Sequence, residues 1–274
     1  MRILLSLLSF LSVLFANDLN KNYFTQMQGA SVYVISLQES KLDTTKLVSN
    51  NNEEKNFIST FSNLKPNQLN IIFIKTKNFN ILIDTGFPHN QAKLKLELNN
   101  IGIDFSDITH LILTHAHPDH VGGILDKEGQ NNFVNAQLFI DENELNFWLN
   151  STNENTKKAL NAFSKVHFFK ERFPMLDDDI KLFAIKAYGH TPGHNLISIK
   201  SESGEELVFM GDLVHFYDIQ SKSPNINVVY DNNKTQAAKN RAYFLDYFKK
   251  NKIPVVGAHM PISKPLFLDE NLSK

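Results

Sequence analysis

"THAHPDH", residues 114–120, sets three histidines and an aspartate directly behind the apolar run "HLILT" (110–114). His115, His117 and Asp119 share parity, so a chain that stays extended points them to one side. His120 breaks that parity and reaches the same place only if the backbone curls. Pro118 forbids a helix running through from the strand but suits the first turn of one that begins there. Gly122 and Gly123 then let the chain turn tightly and pack closely. The pattern predicts a strand end, a loop and a helix start wrapped around one point. Imidazole and carboxylate are the usual ligands of zinc, and four donors between positions 115 and 120 exceed what one tetrahedral ion takes from a single loop. Two ions sharing the loop is the economical expectation.

Further donors fall in the same kind of place. "YGHTPGH" (188–194) closes an apolar run with His190 and His194, "FMGDLVH" (209–215) sets Asp212 behind "LVFM", and "VVGAHM" (255–260) sets His259 behind "IPVV". Each lies where a buried strand passes into a loop, the position at which open α/β folds collect ligands. One such residue alone is more often structural than functional. The ordered set, following the first motif, is what predicts a metal site.

Around these motifs, "SVYVISLQ" (31–38), "LNIIFIKT" (69–76), "FNILIDTG" (79–86), "DITHLILTH" (107–115) and "AQLFID" (136–141) read as strands. A second β-rich block follows in "DIKLFAIKAYGH" (179–190), "HNLISIKS" (194–201) and "EELVFMGDLV" (205–214), with a short buried strand in "IPVVGAH" (253–259). Helices are predicted at 90–100, 142–150, 155–166 and 234–251, the last with Ala237, Ala238, Phe244, Leu245 and Phe248 on or near one face. Helices that interrupt two groups of strands must cover both, which predicts a layered α/β architecture. The polar stretch 51–68 reads as a loop or short helix, and its place between strands allows residues 40–68 to lie over a cleft as a lid. No repeat and no linker composition divides the chain, so residues 17–274 are expected to form a single domain.

The chain has 274 residues, is 42% hydrophobic and contains 22 Phe, enough to fill a sizeable aromatic core. A formal net charge of −1 without a basic stripe argues against a nucleic-acid partner. The opening "MRILLSLLSFLSVLFA" (1–16) places one basic residue, Arg2, before an uncharged apolar stretch and ends on the small Ala16. That is the layout of a cleaved secretory signal, and it is shorter than the roughly 20 apolar residues of a membrane span. A mature chain starting near Asn17, exported to the periplasm or beyond and free of a membrane span, is the expectation. The absence of cysteine excludes a disulfide scaffold, an N-terminal lipidated Cys, thiolate zinc sites and cysteine proteases. GxSxG, P-loop and dinucleotide-binding patterns are also missing.

Taken together, "ILIDTG" (81–86), "THAHPDH", "GHTPGH" (189–194), "GD" (211–212) and "GAH" (257–259) resemble the metallo-β-lactamase-fold hydrolases in order and spacing. The resemblance implies a four-layer αβ/βα sandwich with two divalent metal ions, expected to be zinc, in a cleft at its edge. It implies that His115, His117 and His190 hold the first ion, that Asp119, His120 and His259 hold the second, and that Asp212 bridges them. In family members with the GHT pattern the histidine after the glycine is the ligand, which leaves His194 as a supporting residue. Asp84 resembles the family's carboxylate that orients ligands from behind. A hydroxide bridging two such ions attacks a carbonyl or phosphoryl centre. Asp119 would both bind its ion and orient or take the proton of the water.

Departures narrow the branch. Asp212 stands where one β-lactamase subtype has Cys, and His117 stands where the flavin-linked di-iron branch has Glu. The stretches beginning "GHTPGHNLISIKS" and "KTQAAKNRAYFLDYF" resemble the exported branch that includes organophosphate (methyl parathion) hydrolases. An exported hydrolase of a small-molecule ester, lactone or phosphoester is the expectation. The alternatives are a mononuclear iron dioxygenase using only His115, His190 and Asp212, a β-lactam hydrolase, and a non-catalytic metal-binding protein of the envelope. His215, Phe216 and Tyr217 are candidates to line the cleft, and Phe147, Trp148, Phe168 and Phe169 to form an apolar wall. Core or loop packing is the more ordinary fate of each aromatic. His89, His110 and His167 receive no role, and the oligomeric state is left open.

Overall fold

The computed structural model describes residues 22–171, 174–177 and 180–268, so the expected signal at 1–16 lies outside the described residues. The strands are β1 (Tyr23–Met27), β2 (Ala30–Ser40), β3 (Leu47–Val48), β4 (Asn67–Thr76), β5 (Asn80–Ile83), β6 (His110–Ile112) and β7 (Gln137–Ile140). They continue as β8 (Val166–Phe168), β9 (Leu176–Asp177), β10 (Ile180–Lys186), β11 (Asn195–Ser201), β12 (Glu206–Phe209), β13 (Asn227–Val228) and β14 (Val255–Val256). The helices are α1 (Asn52–Ser59), α2 (Gln91–Asn99), α3 (Pro118–Val121), α4 (Glu142–Leu149), α5 (Glu154–Asn161), α6 (Tyr217–Gln220) and α7 (Lys234–Asn251).

Period-two alternation sorts the apolar side chains into layers. On β4, Ile72 and Ile74 face one way while Ile71 and Phe73 face the other, and on β5 Ile81 and Ile83 oppose Leu82 in the same manner. One face of the seven-stranded sheet, ordered β1-β2-β4-β5-β6-β7-β8, packs against Leu182, Ile197, Ile199 and Phe209 of the five-stranded sheet β14-β12-β11-β10-β9. Its other face is covered by Leu94 and Leu98 of α2, Trp148 of α4 and Leu160 of α5. The second sheet turns Leu196, Val208 and Val255 outward against Phe244, Leu245 and Phe248 of α7. The layers therefore run helix, sheet, sheet, helix. Because both faces of β4 are covered, nine of its ten residues are buried, as a sheet sealed on two sides requires.

Several sequence expectations change in extent, the strands expected over 205–214 and 253–259 shortening to β12 and β14. The strand expected over 107–115 is ladder-paired only at His110–Ile112, and the helix expected over 155–166 ends at Asn161, with Val166 opening β8. Backbone pairing beyond the strands brings the site together. Gln68 and Asn70 of β4 donate their N–H groups to the carbonyls of Met260 and Ala258, and the Asn195 N–H donates to Thr114 O. These bonds join the two sheets at the edge where the strand-end loops meet.

Candidate metal centre

The parallel pairs β5–β6 and β12–β14 place the ends of four strands at one edge. Asp84 follows β5, the 114–120 motif follows β6, Asp212 follows β12 and His259 follows β14. The extended-parity reading holds for His115 and His117 and fails at Asp119. His117 caps α3, so Asp119 and His120 lie inside a helical turn, and helical rotation carries them away from the first two histidines. One seven-residue motif thereby contributes to two groups of donors.

Two groups of donors result, each with its ligand atoms within 4.8 Å of one another: His115, His117, His190 and Asp212, and Asp119, His120, Asp212 and His259. In the first, His117 Nδ1 lies 3.0 Å from both His115 Nε2 and His190 Nε2, and Asp212 Oδ2 is 3.2 Å from His190 Nε2. In the second, Asp212 Oδ1 lies 3.0 Å from His120 Nε2, and His259 Nε2 is 3.1 Å from Asp119 Oδ2 and 3.2 Å from Asp212 Oδ2. Asp212 belongs to both groups.

The chemistry of these donors fits divalent cations. Burial and the neighbouring His190 push His117 down to about 3, and burial also holds His115 well below its ordinary value, so both imidazoles are neutral and offer lone pairs. His120 Nε2 and Asp212 Oδ1 are buried without an aligned hydrogen-bond partner. Burial opposes charge on His259, but Asp212 and Asp119 outweigh it and raise its pKa to about 10. A cation held by the same carboxylates would displace that proton.

Behind the donors sit three buried carboxylates. Asp84 accepts from the Thr114 N–H at 2.9 Å and its hydroxyl at 2.8 Å, and lies 2.7 Å from His120 Nδ1. Its φ of 63° falls in the left-handed region that Asp tolerates better than most residues. Glu144 accepts from the N–H groups of Ala116 and Gly193, each at 2.9 Å, and from Trp148 Nε1 at 2.7 Å. Asp231 lies 3.0 Å from His190 Nδ1 and pairs with Arg241 at 3.0 Å. His194 stands apart from both donor groups. Its Nε2 accepts from the Asp212 N–H at 3.0 Å, and its Nδ1 is 3.2 Å from Ala187 O.

Sequence reading missed Glu144, Asp231 and Arg241. "ENEL" reads as the acidic first turn of an exposed helix, and "YDNNK" reads as a turn. Arg241 left a trace: it falls between Ala237 and Phe244 on the buried stripe of α7, where a charge needs a partner.

A cleft of about 420 Å³ opens over the donors, lined by Leu42, Phe87, Asp119, His215, Phe216 and Tyr230 among others. Of the aromatic candidates, Phe216 lines it, whereas Tyr217 joins the core under α7. Phe147, Trp148, Phe168 and Phe169 do not line it. Trp148 instead sets its ring edge-on to His117 at 5.4 Å. Within the segment considered as a lid, residues 40–43, Lys46 and Asn67 wall the cleft, and Leu47, Phe57 and Phe61 pack beside Ile219 and Val228. The separate antiparallel pair β3–β13 fastens that wall.

The described residues contain no helix long and apolar enough to cross a membrane. A curated relative, metallo-beta-lactamase domain-containing protein 1 of Xenopus laevis, is 28% identical over 134 residues, 48% of this chain and 49% of the relative. The chain thus matches about half the length of that relative. Among solved structures, AidC, a dizinc quorum-quenching lactonase in complex with a product, superposes with a TM-score of 0.77 at 25% identity, covering 89% of this chain and 92% of AidC. AbOPH, a hydrolase in the beta-lactamase superfamily, gives 0.74 at 23% identity over 91% of this chain and 93% of its own, a likeness of fold. The sequence profile of the metallo-beta-lactamase superfamily matches residues 64–259, the span that carries every donor described above, and the chain belongs to that superfamily.

Proposed function

We propose that this chain, a metal-dependent hydrolase, opens lactones or esters of small molecules with two divalent ions. Zinc is the expected metal because the donors are imidazole and carboxylate without thiolate. The observation that carries the reading is the sharing of Asp212 by two donor groups on the floor of an open cleft. His115, His117 and His190 would hold one ion, Asp119, His120 and His259 the other, and Asp212 both. Such ions lower the pKa of bound water to about 7 and polarise the substrate oxygen. Asp119 faces the cleft. Burial opposes its charge, but His120 and His259 hold its carboxyl well below the usual range, so it stands ionised to orient water and accept a proton. Leu42, Phe87, Phe216 and Tyr230 offer apolar surface to an acyl or alkyl group. The lactonase activity named for AidC supports lactones as the first class to try.

A mononuclear iron dioxygenase would leave Asp119, His120 and His259 converging on Asp212 without a task. We further propose that residues 17–274 act as one exported hydrolase domain after cleavage of residues 1–16. The sequence resemblance to the organophosphate-hydrolase branch adds a phosphotriester to the substrates worth testing.

The experiment is metal content of the protein purified from its own compartment, with its N-terminal mass, and turnover of a lactone, an aryl ester, a phosphotriester and nitrocefin with and without chelator. Two zinc ions per chain, an N-terminus near Asn17 and chelator-sensitive lactone or ester hydrolysis are expected. One iron per chain without hydrolysis would return the dioxygenase reading, and no bound metal would overturn the site.

A further inference from the structure

Asp231 and Arg241 form an ion pair that is almost fully enclosed, with side chains 0% and 1% exposed. A buried pair of this kind is a doubtful source of stability, because desolvation offsets most of its attraction. Its partners show what it does instead. Arg241 spends its remaining bonds on backbone: Nε donates to Leu213 O at 2.7 Å, and Nη1 donates to Pro224 O at 2.9 Å and Ile226 O at 2.8 Å. The guanidinium is therefore fixed to the loop that follows Asp212. From that anchor it holds Asp231 Oδ2 at 3.0 Å, and the Val228 N–H donates to the same oxygen at 3.1 Å. The other oxygen, Oδ1, is left to face His190 Nδ1 at 3.0 Å.

A carboxylate can only accept. The hydrogen bond at Nδ1 therefore keeps a proton there, so that Nε2, turned toward His117 and Asp212, is the nitrogen that would offer its lone pair to an ion. Without Asp231, the ring is free to take the other tautomer or to rotate. A partner that fixes the tautomer and orientation of a ligating histidine typically changes metal affinity by about 10–100-fold.

We infer that Asp231, held by Arg241, is a positioning residue that sets the tautomer and aim of His190 and thereby the affinity of the first donor group for its ion. The inference rests on the reading of His190 as a ligand.

Zinc affinity of the full chain tests it, measured by competition with a chromophoric chelator on wild type, D231N and the double variant D231N/R241M. The visible spectrum of each protein loaded with cobalt serves as a second readout. Asn at 231 must turn an NH2 group toward either His190 or Arg241, so one of the two contacts is lost. Both variants are expected to keep one ion at wild-type affinity, to bind the other about 10–100-fold more weakly, and to show an altered cobalt spectrum. The double variant removes the guanidinium that D231N leaves buried and unmatched, and it replaces the single variant if that one does not fold. Folded variants that hold both ions at wild-type affinity would overturn the inference. Failure of both to fold would also overturn it, by making the pair a structural buttress. Wild-type protein that binds no zinc would overturn the ligand reading itself, which is a separate result.

Discussion

Glu144 accepts hydrogen bonds from Ala116, which lies between two histidines of the first group, and from Gly193, which lies in the loop between His190 and His194. One carboxylate thereby clamps two loops that come from different sheets. The Trp148 indole completes the set, and no cation stands against the charge in the contacts described above, so burial pushes the Glu144 pKa up. Its value lies in the donors it satisfies. E144A would strand two backbone N–H groups and an indole N–H in the interior, each a cost of about 1–3 kcal/mol if water cannot reach it. A loss on the order of 3 kcal/mol is expected in a urea titration. A midpoint within experimental error of wild type would mean that water replaces the carboxylate. Nothing in "ENELNFW" announces this role, because the same letters suit a solvated helix start. Asp84 was easier to see, since "DTG" after an apolar strand is part of the family's pattern, yet its contacts to Thr114 and His120 are visible only across 30 and 36 residues of chain.

At the scale of elements, the short α3 splits one motif between two donor groups, and close-packed loops keep it in place. Gly193 shows how close. A Cβ on that residue would overlap the Glu144 N–H and come within 2.6 Å of the Glu144 Cβ, both backbone-fixed parts of α4. The position carries no positive φ among the glycines that do, so the penalty for alanine is steric alone. G193A is expected to cost about 1–3 kcal/mol, as overpacking in a rigid setting does, and to lower zinc affinity by shifting the loop that bears His190. Calorimetry and chelator competition read the two effects separately. A fully wild-type result in both would show that the loop and α4 part freely. The principal helices and most of the longer strands were readable from alternation and amphipathic spacing, though β1, β8 and β9 went unread. The two-residue β3 and β13 were not readable, because so short a run has no period to detect. Their pairing is a tertiary event that fastens the cleft wall.

Across the whole molecule, four strand-end loops deliver seven candidate ligands to one edge, and the layers behind them are apolar and closed. The ends of the chain segments are therefore held partly by the packing of two sheets and partly by whatever the donors bind. Ions that bind only the folded state add to its stability by mass action, about 2.7 kcal/mol when free metal is a hundredfold above its Kd. Stripping the protein with chelator is accordingly expected to lower Tm by roughly 5–10 °C, with recovery on adding zinc. A Tm indifferent to both treatments would place the metal outside the folding equilibrium and count against the shared-Asp212 centre.

The sequence by itself determined the layered α/β class and the strand ends at which imidazole and carboxylate donors gather, while its resemblance to the metallo-β-lactamase family implied His115, His117, Asp119, His120, His190, Asp212 and His259 as the candidate ligands. It could do so because alternation, proline and glycine placement and clustered imidazoles are local signals, readable within a dozen residues. The tertiary structure supplied the physical cause of the donor division that the family resemblance implied, since α3 turns Asp119 and His120 away from His117. It alone made Glu144, Asp231 and Arg241 part of the site, because an acid in a helix start or a turn looks the same whether it meets water or a buried histidine 41 residues away. Long-range partners are set by the packing of two sheets and their helices, and no short stretch of sequence encodes them.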